Sequence, residues 1–266
     1  MHDYLPNPAL IYQGPALPRA PLILIHDGGG TNFNYHLLSQ IGRPLWGLAN
    51  ARLHEGGWWE GGIPQMATYY VGLLAKAIPE GGDILLGGWS LGGLLSLEMA
   101  HRIAEARRDG GTGAKFRVKG MVFIDSLCPS YSAEMRARLP AEPVILSAQE
   151  SEAMKLKEKV NLNMTHARIM VSFWELPRWE DGLQAPPTIL LRAKEWFNRD
   201  PSKSFVDFTR EDRLLGWGDY NKEHGGFIKD VVDVQGHHFS IFDFDYLDDV
   251  TSKVRAAADQ LDPFKF

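Results

Sequence analysis

The chain has 266 residues, 44% hydrophobic and 23% charged, a balance that builds a packed core and excludes disordered and collagen-like architectures. Its net charge of −5 provides no basic field to hold nucleic acid or an anionic membrane, so neither is an expected partner. The one cysteine, Cys128, excludes an internal disulfide framework and a multi-cysteine metal site, and it fits a reducing, cytoplasmic setting.

The first twenty residues are rich in proline and lack a basic start followed by an apolar run, so they do not read as a secretion signal. Short apolar runs bounded by glycine, proline or charge then predict buried parallel strands at 22–26, 45–49, 83–87, 120–125, 188–192 and 231–234. Between the second and third, residues 64–78 carry Met66, Tyr70, Leu73, Leu74 and Ala77 at three- and four-residue steps, with Pro64 suited to a first helical turn. A second helix is predicted over 91–107. The most apolar stretch, 84–100, is broken by Gly87, Gly88, Gly92 and Gly93 and changes from strand to helix, so it does not read as a membrane span. Residues 129–185 break the rhythm with helical segments anchored by Met154, Met164, Met170, Phe173 and Trp174; the interval is too long for an ordinary crossover and is expected to form a lid. Repeated strand and helix imply right-handed crossovers, hence a single α/β domain over 1–266 with a mostly parallel twisted sheet, helices on both faces and the lid inserted at 129–185.

The strongest chemical signal is Gly88-Trp89-Ser90-Leu91-Gly92. The five-residue pattern is short, but an apolar strand runs into it and a helix runs out. A serine on so sharp a turn has strained backbone angles, needs glycine on either side, and projects its hydroxyl above the sheet. Serine alone is a poor nucleophile near neutral pH, so a base must take its proton and an acid must orient that base. The base is expected from Gly236-His237-His238-Phe239, just after the last predicted strand. A metal-binding histidine pair is disfavoured there, because neighbouring side chains leave a strand in opposite directions and no carboxylate or cysteine cluster accompanies them. Asp125 and Glu195, both at carboxyl ends of predicted strands, compete as the acid. An oxyanion hole requires two backbone amides: Leu91 supplies one, and Gly28 of His26-Asp27-Gly28-Gly29-Gly30-Thr31 is expected to supply the other. That glycine loop lacks the spacing of a nucleotide cradle. His26 and Asp27 read as loop-shaping residues, and Trp89, Met164 and Trp174 as candidate substrate contacts. Neither a metal nor a bound cofactor is expected.

These segments carry a resemblance. Leu24 to Thr31, Gly88 to Gly93, Val122-Phe123-Ile124-Asp125-Ser126 and Gly236 to Ser240 resemble the thioesterase domains of polyketide and non-ribosomal peptide synthases, fungal ones in particular. The resemblance implies the α/β-hydrolase fold and a triad of Ser90, Asp125 and His238, Asp125 taking the acid position after the nucleophile helix and strand and His238 the base position of a G-x-H-F segment. His237 departs from the Asp or Asn more usual there. The resemblance also implies a substrate held as a thioester on the phosphopantetheine arm of an acyl or peptidyl carrier protein, released from Ser90 by water, a hydroxyl or an amine. A local basic cluster, Arg107, Arg108, Lys115, Arg117 and Lys119, is either a docking patch for that carrier or a solvated loop. A general serine esterase or lipase, and a non-hydrolytic member that binds or cyclises product, share the same residues and stand as alternatives.

Overall fold

In this computed structural model, residues 6–15, 19–129, 131–140, 142–200 and 204–263 are described. The chain runs β1 (Ala9–Tyr12), β2 (Leu22–Ile25), β3 (Leu45–Leu48), α1 (Gly62–Ala77), β4 (Gly82–Trp89), α2 (Leu91–Asp109), β5 (Phe116–Ile124), α3 (Ala133–Ala137), α4 (Ala148–Ala153), α5 (Leu156–Ser172), β6 (Thr188–Ala193), α6 (Gly218–Glu223), β7 (Ile228–Val234) and α7 (Leu247–Leu261). The strands form one sheet in the order β1-β3-β2-β4-β5-β6-β7. All neighbours are parallel except β1, which pairs antiparallel with β3 at the edge.

Side chains on the strands alternate between two apolar layers, as the period of two demands. Ile23 and Ile25 of β2, Ile84 and Leu86 of β4, and Met121 and Phe123 of β5 join one layer with the apolar faces of α1 and α2. Leu22 and Leu24, Leu85, and Val122 and Ile124 point the other way, where Val250, Val254, Ala257 and Ala258 of α7 cover them. The strands at the centre are therefore covered on both faces, which explains their unbroken apolar runs.

The sequence-predicted strands all form, with longer ends for β4, β5 and β7. β1 was not foreseen: it is four residues long, only Ala9 of it is buried, and it lies at the sheet edge. Residues 129–185 hold α3, α4 and α5 between β5 and β6, with positions 130 and 141 outside the described residues. From β2 the chain goes outward to β3, then crosses back to β4 on the other flank. The carboxyl ends of β2 and β4 thus face a topological switch point, the crevice in which such sheets bind their ligands.

Candidate active site

β4 delivers Ser90 and α2 begins at the next residue. Ser90 has φ 56° and ψ −116°, a conformation a non-glycine residue adopts only where the surroundings enforce it. The enforcement is visible. Ser90 N donates to Ile124 O (2.9 Å), Trp89 N donates to the Tyr35 hydroxyl (2.9 Å), and that hydroxyl donates to Ile25 O (2.6 Å). A Cβ on Gly88 or Gly92 would collide with the carbonyl oxygen of Ile25, so both glycines are needed for the turn to lie against β2.

His238 leaves the loop after β7 and is 2% exposed. Its Nε2 lies 3.2 Å from Ser90 Oγ and its Nδ1 2.8 Å from Asp125 Oδ2. Because a carboxylate only accepts, Nδ1 carries the proton and Nε2 presents a lone pair to the serine. Asp125 stands at the carboxyl end of β5 with φ 47°, a left-handed turn that aspartate tolerates better than most residues. Burial pushes its carboxyl up, but bonds from His238 and Arg210 prevail and hold it well below the usual carboxylate range.

Arg210 escaped the sequence analysis. Its guanidinium grips Asp125 with both ends, Nη1 to Oδ1 at 2.6 Å and Nη2 to Oδ2 at 2.8 Å. The remaining alternatives resolve on contacts. Glu195 is exposed, and its backbone amide, not its carboxylate, bonds to Gly236 O at 3.0 Å. His237 shapes the loop: its Nδ1 accepts from Phe239 N at 3.2 Å and its ring meets Phe197 with centroids 5.2 Å apart.

Gly28, Ser90 and Leu91 line one cavity of about 100 Å3. Leu91 opens α2, so its amide has no carbonyl ahead of it in the helix. The Gly30 amide bonds to Asp27 O (3.1 Å) and that of Gly29 to Asp27 Oδ1 (3.1 Å), which leaves Gly28 as the loop glycine facing the cavity. Asp27 lines it too, and its carboxyl is pushed up to about 6, mainly by burial. His26 is buried behind the loop; its Nδ1 donates to Asp27 O (2.6 Å), its Nε2 accepts from the Tyr70 hydroxyl (2.7 Å), and burial holds it down at about 4. It is a neutral brace for the loop.

Beside Asp27, Arg168 and His238 the cavity walls are mostly apolar and aromatic, with Trp89, Met164, Phe205 and Phe208 among them. Trp89 and Met164 therefore stand where substrate contacts were expected. Trp174 does not: its indole N–H donates to Glu98 of α2 at 3.0 Å and its ring packs against the core layer under α1 and α2. Its place at the end of α5, past the last turn over the cavity, turns it away. Cys128 also lines the cavity, but burial pushes its thiol up to about 12, so it stays protonated near neutral pH and does not compete as a nucleophile.

α5 covers this chamber. A Cβ on Gly28 would come 3.7 Å from Ala167 Cβ and 3.9 Å from Met164 Cα. The helix is fastened by Asn163, whose Oδ1 accepts from Asn50 Nδ2 (2.9 Å) while its Nδ2 donates to Leu53 O (3.2 Å) and Lys159 O (2.8 Å). His166 adds a second tie, donating from Nδ1 to Gly56 O (2.7 Å) and accepting from Val144 N (3.0 Å).

The basic cluster weighed as a docking patch is largely spent on internal pairs. Arg117 grips Asp83 through two bonds of 2.6 and 2.5 Å, Arg108 chelates Asp109, and Lys119 pairs with Asp262. Among the described residues no group of three or more His, Cys, Asp or Glu side chains is arranged to hold a metal, and no helix is long and apolar enough to cross a membrane.

The family described as a thioesterase domain matches residues 20–257. The chain is 39% identical to "Thioesterase frbE" of Dothideomycetidae sp. (strain 11243), covering 97% of both chains. It is 35% identical to "Thioesterase AMT4" of Alternaria alternata, covering 98% of this chain and 95% of that one. Among solved structures, the NocB thioesterase domain in covalent complex with a fluorophosphonate nocardicin G analog has a TM-score of 0.61 at 24% identity, covering 91% of this chain and 95% of that chain. At that identity it speaks for the α/β-hydrolase fold alone. A family match through nearly the whole sheet, joined to a relative similar from end to end, means that the chain belongs to the thioesterase domain family.

Proposed function

We infer that Ser90, Asp125 and His238 are the catalytic triad of a thioesterase that releases an acyl chain, polyketide or peptide-like, from the phosphopantetheine arm of an acyl or peptidyl carrier protein. The observation that carries this reading is the unbroken line from Ser90 Oγ through His238 to Asp125, at 3.2 and 2.8 Å, at the mouth of a cavity lined by aromatic and aliphatic side chains.

His238 Nε2 takes the Ser90 proton as Oγ attacks the thioester carbonyl, and Asp125 holds the imidazolium that forms. The negative charge on the carbonyl oxygen meets the amides of Gly28 and Leu91, at the positive end of α2. The tetrahedral adduct collapses, the C–S bond breaks, and the imidazolium returns its proton to the departing thiolate. The acyl group is then on Ser90. Water, or a hydroxyl or amine of the chain itself, gives its proton to His238 and attacks in turn, freeing an acid or a ring and restoring Ser90.

Residues 129–185 serve as the lid in this reading, with α5 as the roof of the acyl chamber and Trp89 and Met164 as substrate contacts. The lone buried Cys128 favours a reducing cytoplasm. The family match disfavours a general esterase or lipase. Ser90→Ala is expected to abolish release from an acylated carrier protein, a loss of about 10^3-fold or more, while the variant keeps the wild-type melting temperature. Release by that variant at a rate near wild type would contradict the assignment.

A further inference from the structure

We propose that Arg210 is a positioning residue of the catalytic apparatus: its fork holds the Asp125 carboxylate in place for His238 and draws off part of the negative charge that this carboxylate offers the imidazole. The proposal rests on the triad reading above.

Arg210 is 3% exposed and all five of its N–H groups are bonded. Nη1 serves Asp125 Oδ1 (2.6 Å) and Ala193 O (3.2 Å); Nη2 serves Asp125 Oδ2 (2.8 Å) and Val206 O (2.9 Å). Nε reaches Asp207 Oδ1 at 3.3 Å. Asp207 is itself fully buried, and its Oδ2 accepts from Asn198 N (2.8 Å) and the Ser204 hydroxyl (2.7 Å). This is a built site. A guanidinium taken fully out of water is costly unless every proton and both partners are satisfied, and here they are.

Its second consequence is electrostatic. Asp125 Oδ2 is shared between His238 Nδ1 and Arg210 Nη2, and Oδ1 is occupied by Ala193 N (2.8 Å) and Arg210 Nη1. An acid so fully bonded offers an imidazolium less than a free carboxylate would. The groups facing His238 are Asp125 from β5, Asp27 from the loop after β2 and its own neighbour His237, with Arg210 and Asp207 behind Asp125 and Arg168 of α5 on the same cavity. Of these, Arg210 is the cation in contact with the acid. Asp207 partly offsets it from the far side.

The second-order rate of Ser90 labelling by a fluorophosphonate, followed from pH 4.5 to 9 by intact mass, isolates the nucleophile and base without a natural substrate. Removing both buried charges in Arg210→Met/Asp207→Asn is expected to move the acid limb of that rate up by about one pH unit. Asp207→Asn alone leaves the guanidinium unopposed, and its limb is expected to move down. Arg210→Lys keeps the charge and loses the fork, so its rate falls while its limb stays near wild type. Limbs that do not move in Asp207→Asn or in the double variant, with labelling merely slower, would reduce Arg210 to a structural tie and overturn the proposal. If the double variant does not fold, the direction of the Asp207→Asn shift decides alone. A wild type in which Ser90 is not labelled at all would overturn the triad reading, and the role of Arg210 with it.

Discussion

Asp27 is an acid that the active-site loop holds against its own preference. Its carboxyl is raised from 3.8 to about 6, burial being the larger cause, although the Gly29 amide and His238 pull the other way. A carboxyl whose folded value lies above its unfolded one stabilises the fold while protonated, and that contribution is lost as pH rises through about 6. Asp27→Asn keeps an oxygen for Gly29 and removes the ionisation, so it should raise the melting temperature at pH 7.5 more than at pH 4.5. Equal changes at the two pH values would show that the charge is not the cause. The same scale explains what was readable beforehand. Ser90, Asp125 and His238 each sit in a short segment whose local pattern carries the signal: glycines around a serine, an aspartate ending an apolar run, a histidine after the last strand. Arg210 has no such mark. An aspartate and an arginine three residues apart, as Asp207 and Arg210 are, look in sequence like a solvated pair, and only the tertiary fold buries them behind Asp125.

At the scale of elements, α5 makes the cavity a chamber, and the polar tie at Asn163 holds it there. Truncating Asn163 to alanine takes the shorter bond from both Asn50 Nδ2 and the carbonyl of Leu53, leaving each only a 3.4 Å bond, to Gly57 O and from Gly56 N, a loss of about 1–3 kcal/mol. Hydrogen exchange is the fitting probe. Amides of α5 and of residues 50–57 should lose protection in Asn163→Ala while those of β4 and β5 keep theirs; uniform loss over the sheet would mean that the tie supports the whole fold instead of the roof. Periodicity revealed α1 within two residues and α2 from its first residue, because each buries a continuous apolar stripe. The inserted helices were legible only as a helical interval. α4 buries none of its residues and α5 alternates polar ties with apolar contacts, so no single stripe sets their bounds or says that Trp174 turns towards α2. β1 stayed hidden for a related reason: a four-residue edge strand with one buried residue has almost no pattern to read.

At the scale of the whole molecule, the segment leading into β2 and the last turn of α7 are drawn together. Arg43, with no exposed side-chain surface, bonds Ala20 O (3.0 Å), Ala258 O (3.0 Å), Asp259 (2.9 Å) and Asp262 (3.1 Å), fastening α7 to the start of β2. Arg43→Met takes the bonds from the carbonyls of Ala20 and Ala258 and one cation from Asp259 and Asp262, which keep Arg19 and Lys119, and should cost about 1–3 kcal/mol in denaturant unfolding, with the slope unchanged. A loss below about 1 kcal/mol would place that cluster among ordinary surface pairs. The sheet frame so secured lets three side chains, each from a different strand end, meet at Ser90. Acyl transfer to Ser90 is the claim on which the rest depends. Its most direct test is the intact mass of the protein after brief exposure to a carrier protein bearing a thioester-linked acyl chain, followed by peptide mapping. The predicted result is a single acyl adduct on the peptide holding Ser90, absent from Ser90→Ala; an adduct on any other residue, or thioester turnover that survives the loss of Ser90, would contradict it.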